Sequence, residues 1–200
     1  MNNSGILTIS GSGKIIAERS HDVVAAPIQY TIVNNGTLTI QDTVTVKNSV
    51  IYSDYYSVVN SRDANLIING GEIIGAIGIE NYDGTVNISG GRIFGYTRTI
   101  QNYYGTLTIT GGYVDTKATS GSGIENNSGT EIIGSLSNEV NNTSPVIIGN
   151  SYGYVSNSAA SNLYFYNGII KGKSSSINLY GGRIYYRSGY GLTNGTETIE

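Results

Sequence analysis

Cysteine is absent and histidine occurs once, so any chemistry on this chain falls to its Asp, Glu and Tyr side chains. Cleavage of a polysaccharide needs two or three carboxyl groups converging within a few ångströms, or a calcium site beside a basic residue. Asp42, Asp54, Asp63, Asp83 and Asp115 instead occur singly, in different repeats and largely in turns. Glu80 and Glu125 share one repeat position, with Gln101 at the equivalent place between them. That pattern reads as a surface ladder rather than an acid–base pair. His21 lies beside Asp22, with Glu18 and Arg19 nearby. A single histidine without a second ligand at fixed spacing is an ordinary loop residue. No nucleophile elbow, phosphate loop, EF-hand or calcium-binding Gly-Gly-x-Gly-x-Asp repeat occurs. The residues read as non-catalytic, with no metal and no cofactor.

Tyrosine is the informative excess, at 17 residues against 2 Phe and no Trp. Its flat ring and polar tip suit contact with a sugar or a protein at low entropy cost, and suit equally an aromatic ladder over exposed sheet.

What positions these side chains is a repeat, written out most clearly over Ile79–Gly112. Three apolar beats recur in fixed order. Beat A is an apolar residue two before an Asn, as in Ile79-Glu80-Asn81, Ile100-Gln101-Asn102 and Ile124-Glu125-Asn126. Beat B is an alternating pair, after Gly-Thr in Leu38/Ile40, Val86/Ile88 and Leu107/Ile109, and again as Leu66/Ile68. Beat C follows a Gly pair, as Ile73, Ile93 and Val114. A unit this short cannot bury its apolar side alone and must stack on copies of itself.

The expected architecture is therefore all-β, a single-stranded parallel β-helix with three short strands per coil and roughly 20 residues per regular coil. One solenoid domain over residues 1–200 is expected, least regular over 145–180, as a segment of a larger protein. The Asn residues of beat A are expected at a corner, with Asn81, Asn102 and Asn126 stacking between coils.

Later beats are less regular. Val155-Ser156-Asn157, Val140-Asn141-Asn142 and Leu192-Thr193-Asn194 read as beat A, Val146/Ile148 and Ile177/Leu179 as beat B, and Ile184 as beat C. Thr130-Glu131-Ile132-Ile133 and Thr196-Glu197-Thr198-Ile199 place a Glu where an inward apolar residue is expected. Either the register slips there or those coils lie near an open end. Outward Thr pairs at Thr37/Thr39 and Thr106/Thr108 are interrupted at Asn65/Ile67, so Thr reads as a strand former on a solvated face.

The 28 Gly, 2 Pro and 12% charged residues fit closely spaced turns rather than helices. A net charge of −3 without a Lys/Arg cluster argues against nucleic acid and against an anionic membrane surface. No run approaches the roughly 20 apolar residues that span a bilayer. The extra residues of long coils fall between beats C and A, at Ala17–Gln29, Lys47–Tyr56 and Asp115–Ser122. Insertions confined to one corner elaborate one edge, often the binding face of a solenoid. On that edge Tyr55, Tyr56, Tyr96, Arg98 and Lys117 are the candidate binding residues.

Gly-Ile-Glu-Asn-Tyr-Asp-Gly-Thr-Val-Asn-Ile-Ser-Gly-Gly at Gly78–Gly91 and Gly-Ile-Glu-Asn-Asn-Ser-Gly-Thr at Gly123–Thr130 resemble the GIYNxGTLTITGG repeats of large bacterial cell-surface proteins. Similar stretches occur in adhesins and in pectate-lyase-like β-helix proteins. Asn162–Lys173 is similar to the tail segment that follows such repeats. The resemblance implies an extracellular place on a bacterial surface, neighbouring modules in the same polypeptide, and a structural or adhesive role toward a glycan or host surface protein. It carries no catalytic motif. A carbohydrate-active β-helix, lyase or hydrolase, is the rival reading.

Overall fold

Strict alternation over four residues sends every second side chain to one face of a strand, and the apolar set must then be covered. The computed structural model describes residues 1–18, 29–50, 55–117, 119–135, 144–179, 183–186 and 198–199. In it the runs of beat B stack as eight parallel strands, from Ile6–Ile9 through Thr37–Ile40, Asn65–Ile68, Thr85–Ile88, Thr106–Ile109, Thr130–Ile133 and Asn162–Phe165 to Arg183–Tyr186. This is the B face, and its strands number the rungs from first to eighth. Leu38, Leu66, Val86 and Leu107 stand in register, as do Ile40, Ile68, Ile88 and Ile109. All eight are at most 1% exposed.

The other two faces share one larger sheet. The A face precedes each B strand and includes Tyr30–Asn34, Tyr56–Asn60, Ser122–Asn127, Tyr152–Ser156 and Ser175–Leu179. The C face follows each B strand and includes Lys14–Ala17, Thr45–Asn48, Tyr113–Thr116, Val146–Gly149 and Ile169–Gly172. Where no residues intervene, C and A strands fuse, in Glu72–Tyr82 and Arg92–Tyr103. Inside runs one continuous apolar column, with Ile32, Val58, Ile79, Ile100 and Ile124 from the A face and Val46, Ile73, Ile93, Val114 and Ile147 from the C face. The chain is thus an all-β parallel solenoid.

Its corners explain the Gly-Thr of the repeat. The beat-A Asn residues lie in extended strand, and the left-handed positions come two residues later, at Asp83, Tyr104 and Ser128, with φ of 60°, 64° and 87°. The glycine that follows has a different duty. A Cβ at Gly84, Gly105 or Gly129 would stand 2.5, 2.4 or 2.2 Å from the amide nitrogen of Asn60, Asn81 or Asn102 one rung before. Glycine is what lets the Asn side chains pass from rung to rung.

The late rungs depart from the reading of the beats. Val146–Gly149 pairs with Tyr113–Thr116 and is a C strand, with Ile147 inward. Ile177 pairs with Tyr154 on the A face, and Ile184 pairs with Leu163 on the B face. Register sets Tyr154-Val155-Ser156 against Ile124-Glu125-Asn126, so Ser156, not Asn157, stands in the Asn column. Successive B positions 107, 131, 163 and 184 lie 24, 32 and 21 residues apart, which removes the cramped coils that the other assignment implied. The connection between Ile133 and Val146 joins a B strand to a C strand, so the insertions are not confined to one corner. A period of two cannot say which face a short apolar run belongs to; only pairing to a neighbour decides it. Val140-Asn141-Asn142, Leu192-Thr193-Asn194, Glu197, His21, Asp22, Arg19 and Asp54 lie outside the described residues.

Candidate functional site

The C-to-A corner of the middle rungs carries a groove of about 630 Å³. Its first wall comes from a register shift. Between Gly95 and Arg98 the strand holds Tyr96 and Thr97, where its neighbour holds only Ala76 between Gly75 and Ile77. Such a bulge re-aims side chains at a sheet corner. Thr97 Oγ1 anchors it by donating to the Ala76 carbonyl at 2.9 Å. Thr119, Ser120, Gly121, Ser122 and Glu125 form the floor in the next rung, and Ser151 and Tyr152 the far wall.

Arg98 Nε pairs with Glu125 Oε2 at 2.8 Å. Gln101 Nε2 donates to the same carboxylate oxygen and to the Tyr103 hydroxyl, both at 3.4 Å. Tyr103 in turn lies near Tyr82, with ring centroids 6.3 Å apart, and Tyr82 meets Tyr104 edge-on at 6.1 Å. Tyr82 and Tyr104 are exposed. A row of polar contacts therefore crosses the A face, with aromatic rings at both ends.

Directly inside the same three A strands lies a second polar group. From Asn3 onward the amides form a ladder: Asn3, Asn34, Asn60 and Asn81 each donate from Nδ2 to Oδ1 of the next, ending at Asn102, at 2.8–2.9 Å. Each also donates to a carbonyl of its own turn, as Asn81 does to Gly84 and Asn102 to Gly105. At the sixth rung the ladder changes. Glu131 sits in register between Leu107 and Leu163 and is fully buried. Its Oε1 accepts from Asn102 Nδ2 at 2.6 Å, and its Oε2 accepts from Asn126 Nδ2 and from the Tyr154 hydroxyl, the latter at 3.2 Å. Asn126 also donates to the Tyr154 oxygen at 3.0 Å. Burial pushes the Glu131 carboxyl up to about 8, against the opposing pull of its Asn102 and Tyr154 hydrogen bonds. Burial, then the Glu131 charge, holds the Tyr154 hydroxyl well above its usual range.

The residues expected to bind are only partly brought together. Tyr96 and Arg98 line the groove. Tyr56 stacks on Tyr30 with centroids 5.6 Å apart and is in register with Ile77, itself in register with Arg98. It therefore lies two rungs, roughly 10 Å, from the groove. Tyr55 precedes it, its carbonyl accepting from the Ile77 amide. Lys117 is on the C face, its Nζ 4.3 Å from the Phe94 ring centroid, beside an Arg92–Phe94–Tyr113 stack. Burial there lifts the Asp115 carboxyl, opposed by the Thr116 backbone, Lys117 and Arg92. Asn81 and Asn102 are bonded to each other; Asn102 and Asn126 meet only through Glu131.

Sequence reasoning missed Tyr152 and the pairing of Glu125 with Arg98. It also missed the identity of Tyr154 as an inward residue, because an aromatic replaced the aliphatic of beat A. Glu131 did carry a signal, a Glu in an inward slot; neither a slipped register nor an open end accounts for it, since paired rungs flank it on both sides. Among the described residues no three His, Asp or Glu side chains are grouped to hold a metal ion. No protein family, curated protein or solved structure matches the chain.

Proposed function

We propose that this chain is a non-catalytic adhesive module of a bacterial surface protein, displayed outside the cell, that holds a neutral glycan in the groove between Tyr96 and Tyr152. The observation that carries this reading is the groove itself, with an aromatic ring in each wall and a floor of hydroxyl groups. Sugars present apolar C–H faces to rings and hydroxyls to polar groups, and Tyr serves both at low entropy cost. The one cation of the lining, Arg98, is already matched by Glu125. A charge-balanced groove on a chain of net charge −3 favours a neutral ligand over a polyanion. The described lining holds one carboxylate, whereas glycosidic hydrolysis employs two flanking the scissile bond. The surface location rests on the resemblance of the repeats.

The test is a panel of neutral hexasaccharides (cello-, xylo-, manno- and galacto-series) titrated into the purified chain. Tyr96→Ala and Tyr152→Ala, each checked to be folded, are expected to lose binding at least tenfold, about 1.4 kcal/mol. Release of reducing ends from these oligosaccharides, or of unsaturated ends from a polyuronate added to the panel, would establish the carbohydrate-active alternative. Binding to matrix proteins but to no glycan would make the partner a host protein.

A further inference from the structure

The groove and the buried cluster are built on the same three strands. Arg92–Tyr103 carries Arg98 outside and Asn102 inside; Ser122–Asn127 carries Glu125 and Asn126; Tyr152–Ser156 carries Tyr152 and Tyr154. Glu131 hydrogen-bonds to all three from within, through Asn102, Asn126 and Tyr154. We infer that Glu131 is a proton-operated clamp on these strands, holding the groove in shape while its carboxyl is neutral and releasing it when the proton leaves. The functional meaning of the clamp rests on the glycan-binding reading above; the clamp itself does not.

In the neutral acid, Oε1 accepts from Asn102, and Oε2 meets Asn126 and shares a hydrogen bond with Tyr154, so three successive rungs are tied by neutral hydrogen bonds. On ionisation the carboxyl proton passes to solvent and an anion is left inside the solenoid. Among the described residues no counter-ion contacts it, and the hydrogen bonds from Asn102, Asn126 and Tyr154 offset only part of the cost of burial. Its B-face neighbours are Leu107 and Leu163, and the C face turns the apolar Val114 and Ile147 into the same core. Among the described residues the titratable group in contact with it is Tyr154. Arg98 is paired with Glu125 in the groove, and Asp115 lies against Lys117 and Arg92 on the C face. The Arg62–Asp83 and Arg98–Glu125 pairs do not include Glu131.

A buried charge without a counter-ion is relieved by admitting water. The route to water is separation of the A strands, whose outer surface is the groove. Ligand binding across the three rungs opposes that separation, so ligand and proton strengthen each other's binding by the same factor. The upward displacement of the Glu131 proton affinity agrees with this and places the change near neutral pH.

The experiment follows thermal unfolding and xylo- and cello-hexasaccharide affinity of the whole chain from about pH 5 to about pH 9, in wild type and Glu131→Gln. The wild-type midpoint is expected to fall by roughly 5–10 °C across that range, and its affinity by roughly tenfold. Glu131→Gln, neutral throughout, is expected to show neither trend. Parallel pH profiles of the two proteins would overturn the clamp. Should the variant fail to fold, wild-type infrared spectra decide: a neutral carboxylic acid band present at about pH 6 and lost by about pH 9 supports the clamp, and no such band at pH 6 overturns it. If no glycan binds at any pH while the unfolding profiles diverge, the proposed function falls and the clamp on the strands stands.

Discussion

Two stretches of the same column solve one problem differently. From Asn3 to Asn102 the solenoid buries a polar row whose members are all alike, each amide donating to the next and to its own turn. Amides do not titrate, so that stretch of the row is indifferent to pH. From Asn102 to Tyr154 the row is closed by a carboxyl group that serves two amides and a phenol at once. The connection is as dense, but it holds only for one protonation state. Hydrogen-bond number alone does not make a buried network robust; whether its members carry charge decides that.

The largest expected contrast is with pH. Folding raises the Glu131 carboxyl from its ordinary 4.5 to about 8, so between those values the folded chain binds the proton more tightly than the unfolded one. Its contribution to stability is complete below about pH 4.5, declines as pH rises, and is lost above about pH 8. The loss is on the order of 3–5 kcal/mol, readable from denaturant unfolding at a series of pH values. A profile flat over that interval would make the two stretches equivalent.

Asn81→Ala breaks the regular ladder instead. The Asn60 amide loses one of its acceptors and the Asn102 oxygen its donor, a loss of about 2 kcal/mol. Measured by the same method at pH 5 and pH 9, that loss should be equal at both. Conversion of the sixth and seventh rungs to the regular pattern, Glu131→Leu with Tyr154→Ile, sharpens the contrast from the other side. It extends the Leu107–Leu163 and Ile124–Ile177 columns and is expected to raise stability at pH 8 by about 1–2 kcal/mol while abolishing the pH response. Calorimetry at two pH values checks it. Smallest is Arg62→Ala at the exposed Arg62–Asp83 pair, where less than about 0.5 kcal/mol is at stake and the melting midpoint should barely move.

Legibility in the sequence followed the regularity of the rungs. From Leu66 to Ile109 the B positions 66, 86 and 107 lie 20 and 21 residues apart, the latter two behind Gly-Thr, and the observed register matches the reading residue for residue. Over Val146–Ile184 two apolar pairs occur without those flanks and Ile184 occurs behind Gly181-Gly182, and all three fell on the wrong face. The groove was half legible. Tyr96 and Arg98 stood out as an aromatic and a cation beside the variable corner, but Tyr152, 56 positions after Tyr96, enters the same groove only because the strands pair. Tyr55, Tyr56 and Lys117 satisfied the same sequence criteria and were carried elsewhere by the pitch of the solenoid.

The sequence by itself determined that this chain stacks. Units with three apolar beats and no other means of burial have no alternative, and period-two alternation fixes which side chains face inward within each strand. Tertiary structure alone decided what those inward side chains meet. Glu131 in isolation is an exception to a pattern. Placed one rung from Asn102, beside Asn126 and under Tyr154, it becomes the end of an amide ladder and the inner support of a groove. Contacts between rungs join residues roughly 20–35 positions apart, and at that separation local preference carries no information; register, set by all the rungs together, supplies it.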